Sequence, residues 1–249
     1  MKNLMILASG RGTDFQAILD HEKLGVLQDS RISCVVCNHD GARVIERAKS
    51  AGVRVFVVEG VTGRKFRSHD ERELQRSKFD EECLKIAGDQ SIDTVILAGF
   101  DQIVSRKFVE SLKFKILNIH PAYDLKQFGG KNMVGLKVHE AVIRSGCTYS
   151  GCTVHFVTPD LDMGPPILKK KVRLESGENA ESLERKVLAL EHLTYPEAIQ
   201  LIVDERVVVN KEGTMCFVDR FSNGWDVGWE MRQRSYILAN PEEGKILGL

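Results

Sequence analysis

The chain has 249 residues, enough for one sizeable domain with a small appendage. Hydrophobic residues make up 43% and charged residues 28%, an ordinary globular balance that excludes the disordered and fibrous classes. The 35 Lys and Arg offset 35 Asp and Glu, so a formal net charge of zero gives no whole-chain attraction for nucleic acid or an anionic membrane.

Short apolar runs alternate with amphipathic stretches. Leu4–Ala8 (LMILA) reads as a buried strand, broken by Gly10–Gly12 before a helix from about Asp14. The strand pattern returns at Ile32–Cys37, Val53–Val58, Thr94–Ala98 and Ile116–Ile119. Helical patterns fill the intervals near Ala42–Ala51, Glu71–Gly88 and Ser105–Leu112. Nearly continuous apolar strands alternating with helices predict an α/β fold, a doubly wound, mostly parallel, Rossmann-like sheet with helices on both faces.

Beyond residue 135 come a helix over Gly135–Ser145, strands at Gly151–Val157 and Pro166–Leu174, and a long helix over about Asn179–Val203. The three lysines at 169–171 predict an edge strand with a solvated face. The tail carries a VVV strand and a short polar-aromatic segment with Trp225 and Trp229. The expected organisation is a catalytic domain over 1–203 with a C-terminal extension, 204–249, packed on it. The opening MKNLMILASG is too short an apolar run for a signal peptide, and no stretch approaches the roughly 20 apolar residues of a membrane span. A cytoplasmic protein is expected.

Of the six cysteines, Cys34 and Cys37 form a CxxC, but inside a strand-like run where positions three apart face opposite ways. No second pair follows at zinc-finger spacing, so reduced, apolar cysteines are the expectation.

Three stretches carry candidate chemistry. Ser9–Phe15 (SGRGTDF) is a Gly-rich strand-to-helix turn, the kind whose backbone N–H groups bind phosphate; it lacks both the third glycine of a dinucleotide fingerprint and a P-loop lysine. A tight turn capped by Thr13 or Asp14 explains it equally well. Asn118-Ile119-His120-Pro121 ends a buried strand, where open α/β sheets bind ligands. The two-residue spacing sends the amide and the imidazole to one side, an oxyanion donor beside a proton carrier, although a core histidine is the alternative. His155–Leu168 leaves a strand through a loop with Asp160 and Asp162, which taken alone are solvated loop acids.

Together these stretches resemble the folate-dependent formyltransferase family, in the branch that formylates glycinamide ribonucleotide in purine biosynthesis. The resemblance runs in order over about residues 1–200: SGRGTDFQAI, ILAGF at 96–100, an intact NIHP, FGGKNMVGLKVHEAVIRSG, HFVTPDLDMGP, and EHLTYP at 191–196. It implies a catalytic set of Asn118, His120 and Asp162. It further implies phosphate binding by the backbone of Gly12, Thr13 and Asp14, ribose binding by Glu191, and Arg76 serving a substrate anion. The folate donor, 10-formyltetrahydrofolate, would lie along Gln102, Ile103 and Val104, with His155, Thr158 and Asp160 enclosing its pterin. The implied reaction is direct attack by an amine through a tetrahedral intermediate, without a metal, on small-molecule substrates and without nucleic acid or membrane, by a monomer or homodimer.

Three departures bear on the substrate. The family commonly has Asn at Asp14, Arg at Gln102, and Ser-Leu-Leu-Pro where this chain has Ala122-Tyr123-Asp124-Leu125. The neighbouring activities are hydrolysis of formyltetrahydrofolate and formylation of another amino nucleotide or nucleotide sugar. The hydrolase usually carries an N-terminal regulatory domain, and this sequence opens directly on the first strand. A non-catalytic folate- or nucleotide-binding module would be free to lose the Asn118, His120 and Asp162 set.

Overall fold

A computed structural model describes residues 1–249. Its central sheet has seven strands in the order β3-β2-β1-β4-β5-β6-β7. These are β1 Lys2–Ala8, β2 Ser30–Cys37, β3 Arg54–Val57, β4 Thr94–Leu97, β5 Ile116–His120, β6 Tyr149–Phe156 and β7 Pro166–Arg173. The predicted α/β class is what is found, with parallel pairing of β1 to β2 and β4, of β2 to β3, and of β4 to β5. The edge hairpin of β6 and β7 is antiparallel. Contacts divide the chain into two compact units, Met1–Gln16 with Asp29–Asn118, and Ala17–Gln28 with Ile119–Leu249.

In the first unit, Leu4–Leu7, Val35, Val36, Val95 and Ile96 form the strand core and are wholly buried. Both faces of these strands are covered, which is why their sequences run apolar without alternation. Helix α2 (Arg43–Ser50) buries Val44, Ile45 and Ala48 at helical spacing. Helix α3 (His69–Asp89) opens on Ser68, whose hydroxyl accepts the Glu71 N–H at 3.1 Å. Helix α4 spans Arg106–Ser111. Because β1 lies between β2 and β4, the strand order reverses there while the strands stay parallel, and such a switch point is where doubly wound sheets bind ligands.

In the second unit, the short helix α5 (Leu125–Phe128) and helix α6 (Leu136–Arg144) precede β6. Helix α7, Ala180–Val203, starts from a reciprocal Asn179–Ser182 capping box and buries most of its second half. As the lysine stretch predicts, β7 is an edge strand, with Lys169 and Lys171 exposed and Lys170 half-buried. The Lys170 Nζ lies 2.5 Å from the buried Glu197 carboxylate, which also takes Arg220 at 2.5 Å. Lys169 lies over the Tyr123 ring. A carboxylate this buried needs its cations near it.

The tail departs most from expectation. In place of one strand and a short polar-aromatic segment it has a hairpin of β8 (Val207–Val209) and β9 (Cys216–Val218), then helices α8 (Trp225–Ala239) and α9 (Pro241–Leu247). Trp225, Trp229 and Tyr236 share one apolar cluster with Ala17, Val26, Leu193 and Leu201. All six cysteines are free, with Cys34 and Cys37 buried in β2.

Candidate active site

His120 is the last residue of β5 and is buried. Its Nε2 lies 2.7 Å from the Phe128 carbonyl oxygen, which can only accept, so Nε2 carries a proton. The other nitrogen, Nδ1, faces Asp162 Oδ2 at 3.6 Å. The second carboxylate oxygen of Asp162 faces His155 Nε2 at 3.7 Å, so one acid stands against two buried imidazoles. These separations exceed hydrogen-bond length, and the coupling runs through charge and any water that bridges them.

The backbone explains how a loop holds the acid there. Asp162 sits at φ 57°, a left-handed conformation that aspartate tolerates better than most side chains. Its Oδ2 accepts the Gly130 N–H at 2.9 Å. Gly129 packs so closely that a Cβ would lie 2.5 Å from the Leu125 carbonyl and 3.1 Å from the Asp162 Cβ. At Gly164 a Cβ would fall 1.7 Å from the Phe156 carbonyl, so only glycine lets the loop return onto β6. Thus 128–130 supplies a carbonyl to His120 and an N–H to Asp162.

The stretch Ala122-Tyr123-Asp124 builds that supply. Asp124 caps α5 by accepting the N–H groups of Lys126 and Gln127. The Thr153 hydroxyl donates to the Ala122 carbonyl at 2.8 Å and pins the preceding turn to β6.

Burial holds the His155 pKa below the ordinary value, against the pull of Asp162, so this imidazole stays neutral and donates Nδ1–H to the Phe156 carbonyl at 2.9 Å. His139 on α6 is buried with its Nδ1 unpartnered. Desolvation first, then the neighbouring charge of His120, lowers its pKa to about 4.

Helix α1 spans Thr13–Lys23, and the Gly12 carbonyl accepts its first helical bond, from Gln16 at 3.0 Å. The cap position is therefore Gly12, not Thr13 or Asp14. Gly12 has φ 69°, and a Cβ there would meet Val44 at 2.7 Å, so the tight turn requires glycine. Arg47 braces the turn by donating to the Arg11 carbonyl at 3.0 Å, and Asp14 lies in the first helical turn. The Ser9 hydroxyl accepts the Asp101 N–H at 2.9 Å, tying the ends of β1 and β4.

Other expected contact residues are placed less openly. Gln102 is buried, with Oε1 accepting the Val61 N–H at 2.7 Å, whereas Ile103 is 52% exposed and Val104 is buried. Arg76 pairs with Glu73 on its own helix at 3.1 Å. Thr158 donates its hydroxyl to the carbonyl of the exposed Asp160 at 3.0 Å. Glu191 is buried within α7.

The formyl transferase family model matches residues 2–199. The chain belongs to this family. Among formyl transferases, phosphoribosylglycinamide formyltransferase of Escherichia coli (strain K12) is 32% identical over 209 residues, covering 84% of this chain and 91% of that one. The human trifunctional purine biosynthetic protein adenosine-3 is 32% identical over 213 residues, 86% of this chain. This chain spans only 19% of the length of that trifunctional relative. The crystal structure of glycinamide ribonucleotide transformylase 1 from Symbiobacterium toebii superposes with a TM-score of 0.75 at 33% identity, covering 88% of this chain and 94% of that one.

Sequence reasoning missed Phe128, Gly129, Gly130 and His139 as parts of the site. The paired glycines after a buried aromatic were the available signal for the first three. His139 had none, because one buried histidine on an amphipathic helix looks like any core residue.

Proposed function

We propose that this chain transfers the formyl group of 10-formyltetrahydrofolate to the primary amine of glycinamide ribonucleotide, a step of purine synthesis. The observation that carries the reading is the Asp162 carboxylate set against His120 and His155 at 3.6 and 3.7 Å, in a chain of the formyl transferase family.

The donor supplies an activated formyl carbon. The amine adds to that carbon, and the tetrahedral adduct collapses to the formamide and tetrahydrofolate. Asn118, on β5 two residues before His120, donates its side-chain N–H to the developing oxyanion. His120 is locked by the Phe128 carbonyl so that only its Nδ1 edge is available to exchange a proton. Asp162 stabilises the protonated ring and, through a bridging water, takes the amine proton towards the leaving nitrogen. The amine needs no covalent helper once it is held in line.

The Gly12–Asp14 turn takes the phosphate on backbone N–H groups, and Glu191 takes the ribose hydroxyls. Arg76 exchanges Glu73 for a substrate anion. Ile103 offers an exposed apolar side chain to the donor's flat ring; Gln102, turned inwards, contributes its backbone, and Val104 backs the same segment. His155, Thr158 and Asp160 close the other side of the pterin. Residues 1–203 form the catalytic part and 204–249 an extension to it. No helix is long and apolar enough to cross a membrane, and we place the enzyme in the cytoplasm as a monomer or homodimer.

The test is turnover by purified protein with 10-formyltetrahydrofolate and either glycinamide ribonucleotide, other amino nucleotides, or water alone. Formylation of glycinamide ribonucleotide well ahead of the panel supports the reading. Tetrahydrofolate release with water alone would make the protein a hydrolase instead.

A further inference from the structure

Helix α7 carries a proline in its interior. Pro196 has no N–H to give to the carbonyl four residues back, that of His192, and its ring crowds that oxygen. The turn weakened in this way contains Glu191, His192 and Leu193, all buried.

Side chains from the C-terminal helices reach into this turn. Gln233 of α8 donates its Nε2 N–H to the Leu193 carbonyl at 2.8 Å, in a buried position. Glu243 of α9 brings Oε1 within 2.5 Å of His192 Nδ1, and its Oε2 accepts the Tyr236 hydroxyl at 3.0 Å. Tyr236 in turn stacks on His21 with ring centroids 3.8 Å apart. Both contributing helices lie outside the span matched by the family model, residues 2–199.

We propose that α8 and α9 act as a splint that holds Glu191 in its substrate-binding position, with Gln233 and Glu243 as positioning residues for the amino ribonucleotide. This rests on the assignment of Glu191 to the ribose hydroxyls. Helices that only covered apolar surface would have no use for a buried amide and a half-buried carboxylate against this turn, where a polar group taken from water costs free energy unless it is matched. The match is specific: the amide donates to the Leu193 carbonyl, next in sequence to the His192 carbonyl that Pro196 leaves without a helical donor, and the carboxylate fixes the imidazole next to Glu191 in sequence. A carboxylate that binds two hydroxyls tolerates little displacement, and an error of about 1 Å costs up to about a hundredfold. That loss falls on the nucleotide and not on the formyl donor or on the chemistry at His120.

The full-length variants Gln233→Leu and Glu243→Ala are compared with wild type and with Lys245→Ala, an exposed position on α9. The expected result is a KM for glycinamide ribonucleotide raised about tenfold, with kcat and the KM for 10-formyltetrahydrofolate changed less than about twofold. Gln233→Leu keeps most of the side-chain bulk, so it carries the test if Glu243→Ala does not fold. Adding Glu243→Ala to Glu191→Gln should raise the nucleotide KM little further, because both changes act through one carboxylate. Lowered melting temperature with all kinetic constants unchanged would reduce the two residues to structural supports and overturn the proposal. A nucleotide KM that rises in Glu191→Gln alone would overturn the splint and keep the ribose assignment. An unchanged KM in Glu191→Gln would remove that assignment, and the splint's purpose with it.

Discussion

His120 donates through Nε2 to the carbonyl of Phe128 at 2.7 Å, and that one bond decides which edge of the ring meets Asp162. The carbonyl is presented by a four-residue helix capped by Asp124. The Asp162 carboxylate takes its hydrogen bond from Gly130 and not from the helix or its cap, yet both set the orientation of the imidazole that faces it.

Replacing Asp124 by Ala leaves two N–H groups of α5 without their acceptor, a loss of about 1 kcal/mol. If the cap orients His120, kcat falls roughly fivefold, the rate equivalent of that energy, while substrate KM values hold. Steady-state kinetics beside a thermal melt check this. A lower melting temperature with unchanged kcat would confine the cap to loop stability.

Asp14 lies in the first turn of α1, where a carboxylate favours the helix but opposes a bound phosphate. Asp14→Asn should therefore lower the KM for the ribonucleotide and cost the free protein about 0.5 kcal/mol. An equal or higher KM would show that the phosphate does not approach this carboxylate.

His21 and His139 both have pKa values lowered from 6.5 to about 4, chiefly by burial. Each stays neutral in the folded chain while the unfolded chain takes up a proton. Their contribution is therefore intact above about pH 6.5 and is lost as pH falls towards 4, on the order of 2 to 3 kcal/mol for each. Melting temperature followed from pH 7 to 4.5 should fall more steeply in wild type than in His139→Leu. Parallel curves would show that His139 does not titrate with unfolding.

Much of the sheet was legible because β1, β2 and β4 are buried on both faces and read as unbroken apolar runs. NIHP and LDMGP stood out because side-chain chemistry carries them. The 128–130 segment did not, since its contribution is a backbone carbonyl and a backbone N–H that any sequence owns, and only the close packing of Gly129 reveals it. Helix α8 was legible in principle. Trp225, Trp229, Gln233 and Tyr236 recur at helical spacing and are the residues it buries. Gly228 falls inside that spacing and Gly224 directly before it, two poor helix formers beside which the stretch read only as a short polar-aromatic segment.

The most direct test of the account is formyl transfer to glycinamide ribonucleotide by wild type, His120→Ala and Asp162→Asn, measured at saturating substrates with folding confirmed by circular dichroism. The account predicts turnover by the wild-type chain and losses of about a hundredfold or more in each variant, with both remaining folded. Wild-type-like turnover in either variant would contradict it.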